Sequence, residues 1–173
     1  MDKTLDNYKI YDDKQKLAID RVKSNIDKWL FFTGTSGTGK DYIADCILRY
    51  RQAQHRNVFK VNAIRLLLQF QNKFLESIDF LDWLKTQDLI IINEIEKYWS
   101  TASGKEKEIL FEIIDNIYTS DRQLIIISNL TWNELRDNGI LTSAISDRFA
   151  EKGEMVEFNW ESYRRKNFNS EVK

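Results

Sequence analysis

The stretch WLFFTGTSGTGKD, Trp29 to Asp41, decides the fold: an apolar run, Trp29 to Phe32, enters a glycine loop, Gly34 to Asp41, and a helix-like pattern follows. Strand, glycine loop and helix in that order are the parts of a phosphate-binding loop. Glycines let successive backbone N–H groups curl around phosphate oxygens, a lysine reaches the β- and γ-phosphates, and a helix N-terminus faces the anion. Gly34, Thr35, Ser36, Gly37, Thr38, Gly39, Lys40 and Asp41 are therefore the expected nucleotide-binding residues. The last position is ordinarily Ser or Thr, whose hydroxyl holds Mg²⁺, and here it is Asp41.

Outward from the loop, helix-like and strand-like segments alternate. Upstream, Asp12 to Ile26 places Leu17, Ala18, Val22 and Ile26 at helical spacing. Downstream come an amphipathic stripe (Tyr42, Ile43, Cys46, Ile47, Tyr50), a strand at Val58 to Val61 and one long helical region from Ile64 to Leu84. DLIII, Asp88 to Ile92, is a continuous apolar run of the kind found in strands buried on both faces. Glu106 to Tyr118 carries Ile109, Leu110, Ile113, Ile114 and Ile117 on one face, and Leu124 to Ser128 is another buried strand, ending at Asn129. A helix-like segment around Asn133 to Leu135, the AISDRF segment, a short strand from Met155 to Phe158 and a polar tail complete the chain. This alternation predicts an α/β fold, a parallel sheet with helices on both faces and ligands beyond the carboxyl ends of the strands. The expected division is a linker-like segment 1–12, one ATPase domain 13–166 and a polar tail 167–173.

Composition narrows the function classes. A chain of 173 residues, 42% apolar, buries roughly two thirds of its surface as one domain. With 26 basic and 27 acidic side chains there is no global basic field, so any nucleic-acid contact has to be local. The lone Cys46 excludes an internal disulfide and fits the core of its helix; the lone His55 makes no zinc site and reads as a solvated loop residue. No apolar run is long enough for a membrane span or a signal-peptide core, and the cytoplasm is the expected compartment. The tryptophans at 29, 83, 99, 132 and 160 read mostly as packing, with Trp99 and Trp132 near polar loops as candidate contact residues.

Three strand ends carry suspicious polar residues: the glycine loop, Asn93 with Glu94, and Asn129. This is the layout of a P-loop ATPase, in which the second strand normally ends in Asp-Glu, the Asp serving Mg²⁺ and the Glu polarising the attacking water. Glu94 is then either a solvated strand-end carboxylate or, given the loop upstream, the catalytic one. Asn129 either starts a turn or holds the attacking water and senses the γ-phosphate. On residue type alone Arg148 is an ordinary surface ion-pair partner. Arg49, Arg51, Arg56 and Lys60 are conceivable contacts for single-stranded DNA, or solvated charges at a helix end.

TLDNYKIYDDKQ, FFTGTSGTGKDYIA, DLIIINEI, LIIISN and above all AISDRF followed by FNWESYRR resemble the ATPase domain of the DnaC-type replicative helicase loaders, from about Thr4 to Arg165. The resemblance implies an AAA+ P-loop NTPase with a five-stranded parallel sheet, ATP and Mg²⁺ as cofactors, and head-to-tail self-assembly in which Arg148 is the arginine finger. It implies as partners a DnaB-type helicase or another loader, and single-stranded DNA. Loaders carry an N-terminal region that grips the helicase, and this chain begins within the linker that would follow it. The alternatives are a hydrolysis-impaired, nucleotide-gated regulator of a helicase or loader, and a transposition-helper ATPase, against which the FNWESYR tail argues. Asn93 stands where the metal-side Asp is usual. A carboxylate moved to Asp41 keeps the site's formal charge, so Asp41 and Asn93 are the expected metal-side pair, with nucleotide binding steeply dependent on Mg²⁺.

Overall fold

Each apolar run becomes a strand whose successive side chains point to opposite faces, and both faces are covered. That is why the runs are continuous rather than alternating. In the computed structural model, which describes residues 4–72, 77–97 and 104–163, the elements are α1 (Asp13–Ser24), β1 (Trp29–Gly34), α2 (Lys40–Ala53), β2 (Val58–Asn62), α3 (Ala63–Asn72), α4 (Ser77–Lys85), β3 (Leu89–Asn93), α5 (Gly104–Thr119), β4 (Gln123–Ile127), α6 (Trp132–Asp137), α7 (Ser143–Lys152) and β5 (Gly153–Phe158). Trp99, Arg164, Arg165 and the 167–173 tail lie outside the described residues.

The five strands pair in parallel in the order β2-β3-β4-β1-β5. Trp29, Phe31, Ile90, Ile92, Leu124 and Ile126 belong to one core, shared with α3 to α7. Leu30, Phe32, Leu89, Ile91, Ile125 and Ile127 belong to the other, shared with α1 and α2. The expected five-stranded α/β sheet is thus the observed one. Among the described residues no helix is long and apolar enough to cross a membrane.

Three details depart from the sequence reading. The region from Ile64 to Leu84 holds two helices, α3 and α4, rather than one. In α1, Leu17 is 70% exposed while Gln15 and Ile19 are buried beside Ala18 and Val22, so the helix is rotated from the expected stripe. The rotation places Gln15 where its Oε1 accepts the Tyr11 backbone N–H at 2.7 Å. Tyr50, assigned to the α2 stripe, is 47% exposed because the helix runs past the edge of the core there. Trp132 packs edge-on against Phe31, ring centroids 5.3 Å apart, and is a packing residue.

Candidate functional site

The carboxyl ends of β1, β3 and β4 open onto one cleft of about 380 Å³, lined by Ser36, Gly37, Lys40, Asp41, Glu94 and Asn129 among others. Residues far apart in sequence meet there because the strands are parallel and in register: Asn62 lies beside Asn93, and Asn93 beside Ile127.

The glycine loop supplies the floor. Gly34 sits at φ +118, and a Cβ on it would run into the carbonyl oxygen of Phe158 on the neighbouring β5, so only glycine fits. α2 starts at Lys40 with no side-chain cap, leaving its first-turn N–H groups for an anion. Lys40 is 4% exposed and donates to the carbonyls of Gly34 (2.7 Å) and Thr35 (2.8 Å). Burial pulls its ammonium down to about 8, against which Glu96 and Asp41 hold it up. The Thr38 hydroxyl is turned into the loop, donating to Thr35 O at 2.8 Å.

The roof comes from both ends of the chain. Trp160 donates its indole N–H to Thr38 O (3.0 Å) and the Tyr163 backbone N–H donates to Gly37 O (3.0 Å), so the FNWESY segment lies on the loop itself. Tyr8, from the N-terminal segment, shares a 2.7 Å hydrogen bond with the Tyr163 hydroxyl, and burial keeps both phenols uncharged. Neither tyrosine was legible as a site residue.

At the end of β3, Glu94 takes a left-handed conformation (φ +57), accepts from Asn62 Nδ2 and pairs with Lys97. Asn129 Nδ2 donates to Glu96 Oε1 and the Ser128 hydroxyl to Glu96 Oε2, both at 2.8 Å. Glu96 therefore fixes the end of β4. Asn62 and Glu96 carried no motif signal; only the register of the sheet reveals them.

Asp41 and Asn93, the expected metal-side pair, are in contact: Asn93 Nδ2 donates to Asp41 Oδ1. Asn93 Oδ1 is buried with no hydrogen-bond partner. Among the described residues no three His, Cys, Asp or Glu side chains form a metal cluster. Mg²⁺ in phosphate sites takes only one or two carboxylates beside phosphate oxygens and water, so Asp41 with the orphaned Asn93 oxygen fits it. Lys60, whose role as a DNA contact was open, reaches the same carboxylate: its Nζ is 3.2 Å from Asp41 and 2.6 Å from Asp45. Arg51 and Arg56 lie at the other end of the sheet, paired with Asp27 and Asp88.

Arg148 is absent from the cleft. On α7 its guanidinium donates to Ala144 O (2.9 Å) and to the Asp115 carboxylate, stacked over Phe111 and Tyr118.

The chain resembles replicative helicase loaders in sequence. It is 27% identical to DnaC of Buchnera aphidicola subsp. Acyrthosiphon pisum over 95% of this chain and 70% of that protein. To DnaC of Escherichia coli (strain K12) it is 25% identical, over 93% of this chain and 69% of that protein. In fold it superposes on the DnaC helicase loader crystal structure with a TM-score of 0.73 at 19% identity, covering 90% of this chain and 96% of that one. The AMPPCP-bound DnaA of Aquifex aeolicus gives 0.75 at 18% identity, over 98% of this chain but only 53% of that chain, so this protein spans about half the length of that structure. These likenesses establish the AAA+ P-loop fold. Residues 4–171 match the family of IstB-like ATP binding proteins, and the chain belongs to that family.

Proposed function

We propose that this protein is the ATPase unit of a replicative helicase loader, binding ATP at the glycine loop and using it to control delivery of a ring-shaped DnaB-type helicase onto single-stranded DNA. The observation that carries this reading is the meeting of Lys40, Glu94 and Asn129 in one cleft floored by the loop. The DnaC relatives support the choice of helicase loading among ATPase functions.

The loop amides and the amino end of α2 bind the phosphates, and Lys40 adds a charge that burial strengthens. In this reading Glu94 polarises an attacking water, oriented by its bonds to Asn62 and Lys97. Asn129, steadied by Glu96, is the neutral partner for that water or for the terminal phosphate. Asp41 and the Asn93 oxygen are the groups that would hold Mg²⁺, whose chemistry is to neutralise charge on the phosphates. Arg148 serves a neighbouring copy's site rather than its own, consistent with its distance from the cleft.

The test is to mix the protein with a DnaB-type helicase and follow complex formation and phosphate release, with and without ATP and single-stranded DNA. ATP-dependent association and DNA-stimulated release are expected. Arg148→Ala should leave nucleotide binding intact and abolish hydrolysis that depends on assembly. Unchanged hydrolysis in that variant would remove the finger role, and association indifferent to ATP would remove the loader reading.

A further inference from the structure

Lys60 occupies a position with no counterpart in the motif logic. It is the third residue of the edge strand β2, and its side chain crosses to α2, where Asp41 and Asp45 stand one helical turn apart on the same face. Its side chain is 24% exposed, and its ammonium contacts both carboxylates and shares Asp41 Oδ1 with Asn93 Nδ2. Lys60 is thus the ammonium in contact with the carboxylate that borders the phosphate cradle, while Lys40 is held by the loop carbonyls.

We infer that Lys60 is the site's resident counter-cation: it neutralises the carboxylate that Asp41 brings into the loop motif, so nucleotide binds to this protein with little dependence on a divalent cation. This rests on the phosphate-binding reading above. It revises the steep Mg²⁺ dependence anticipated from the sequence, where the charge of Asp41 was counted and that of Lys60 was not. Mg²⁺ at Asp41 must compete with an ammonium already in contact with the same oxygen, so the first effect of the metal is to displace Lys60 rather than to relieve bare repulsion. Asn93 Oδ1, on the same amide whose Nδ2 donates to that oxygen, is buried without a hydrogen-bond partner.

The experiment is calorimetric titration of ADP and of AMPPCP into the full chain, in Mg²⁺ and in EDTA, for the parent, Lys60→Gln, Lys60→Arg and Lys40→Ala. The parent is expected to lose roughly tenfold or less on removal of Mg²⁺, and Lys60→Gln about a hundredfold, with Lys60→Arg close to the parent. A readout without nucleotide accompanies it: millimolar Mg²⁺ alone should raise the melting temperature of Lys60→Gln by about 2 °C or more and leave the parent unmoved, because only in the variant is the Asp41 carboxylate without the Lys60 ammonium.

An equal Mg²⁺ ratio in parent and Lys60→Gln overturns the inference, while loss of binding in Lys40→Ala keeps the phosphate site standing. No binding by the parent in either condition overturns both. Should Lys60→Gln fail to fold, the parent decides alone: a loss of about a hundredfold or more on removal of Mg²⁺ overturns the inference.

Discussion

The two ends of the parallel sheet are both dense in charge, and they use it differently. At the amino ends of the strands, Arg51 joins Asp27 (2.6 Å), the Ile26 carbonyl (2.9 Å) and Gln123 (3.1 Å), and Gln123 in turn donates to the carbonyls of Ile26 and Lys28. Lys152 pairs with Asp121, and Arg56 with Asp88. These are staples across loops, with the outer carboxylates Asp27 and Asp121 82% and 90% exposed. At the carboxyl ends the cation Lys40 is buried, its proton is loosened, and a polar oxygen of Asn93 is left over. Charge density therefore does not mark the site. What marks it is charge held out of water beside a glycine loop and an uncapped helix start, where a polyanion gains more than solvent offers.

Four changes bear on this contrast. Glu94→Gln should keep nucleotide binding and lower phosphate release by about a hundredfold or more, the usual scale for losing a positioned base; unchanged release would demote Glu94 to a strand-end carboxylate. Lys40→Ala should weaken nucleotide binding by roughly a hundredfold in calorimetry, since a buried charge partner is lost.

A pH titration of binding comes next. Lys40 must carry its proton to meet phosphate, and its value in the free protein is about 8. Bound phosphate raises that value, so affinity is level below pH 8 and falls about tenfold per unit above it, with proton uptake visible in buffers of different ionisation enthalpy. The same depression makes the unfolded chain bind the proton more tightly than the native one. Lys40's contribution to folding stability consequently increases from pH 8 towards its ordinary 10.5. The smallest effect is expected at the other end of the sheet: Arg51→Ala should cost about 1–2 kcal/mol of stability through its lost hydrogen bonds, measured by denaturant unfolding, and leave the nucleotide affinity unchanged. A loss of affinity there would erase the distinction between the two ends.

The central unit, β1, loop and α2, was legible because all its information is local: an apolar run, glycines and a lysine at fixed spacing. β3 and β4 were legible from continuous apolar runs, which a sheet covered on both faces explains, while the edge strands β2 (VFKVN) and β5 (GEMVEF) were read from shorter, mixed runs. Helix faces were read less well. Leu17 and Gln15 exchanged places because the N-terminal segment supplies Gln15 with a partner, a contact that periodicity does not see.

The sequence by itself determined the order of the strands, the phosphate loop and the polar residues Asn93, Glu94 and Asn129 at the strand ends, since each depends on neighbours a few positions away. Only the tertiary structure decided which charges meet. Lys60 turns to Asp41 and Asp45, Asn62 to Glu94, and Glu96 to Ser128 and Asn129, while Tyr8 closes with Tyr163 across 155 residues and Arg148 rests on Asp115. The physical reason is that parallel pairing aligns the carboxyl ends of strands joined by long crossovers. Side chains distant along the chain thereby come within hydrogen-bonding reach, and their effect on charge and proton affinity arises only at those distances.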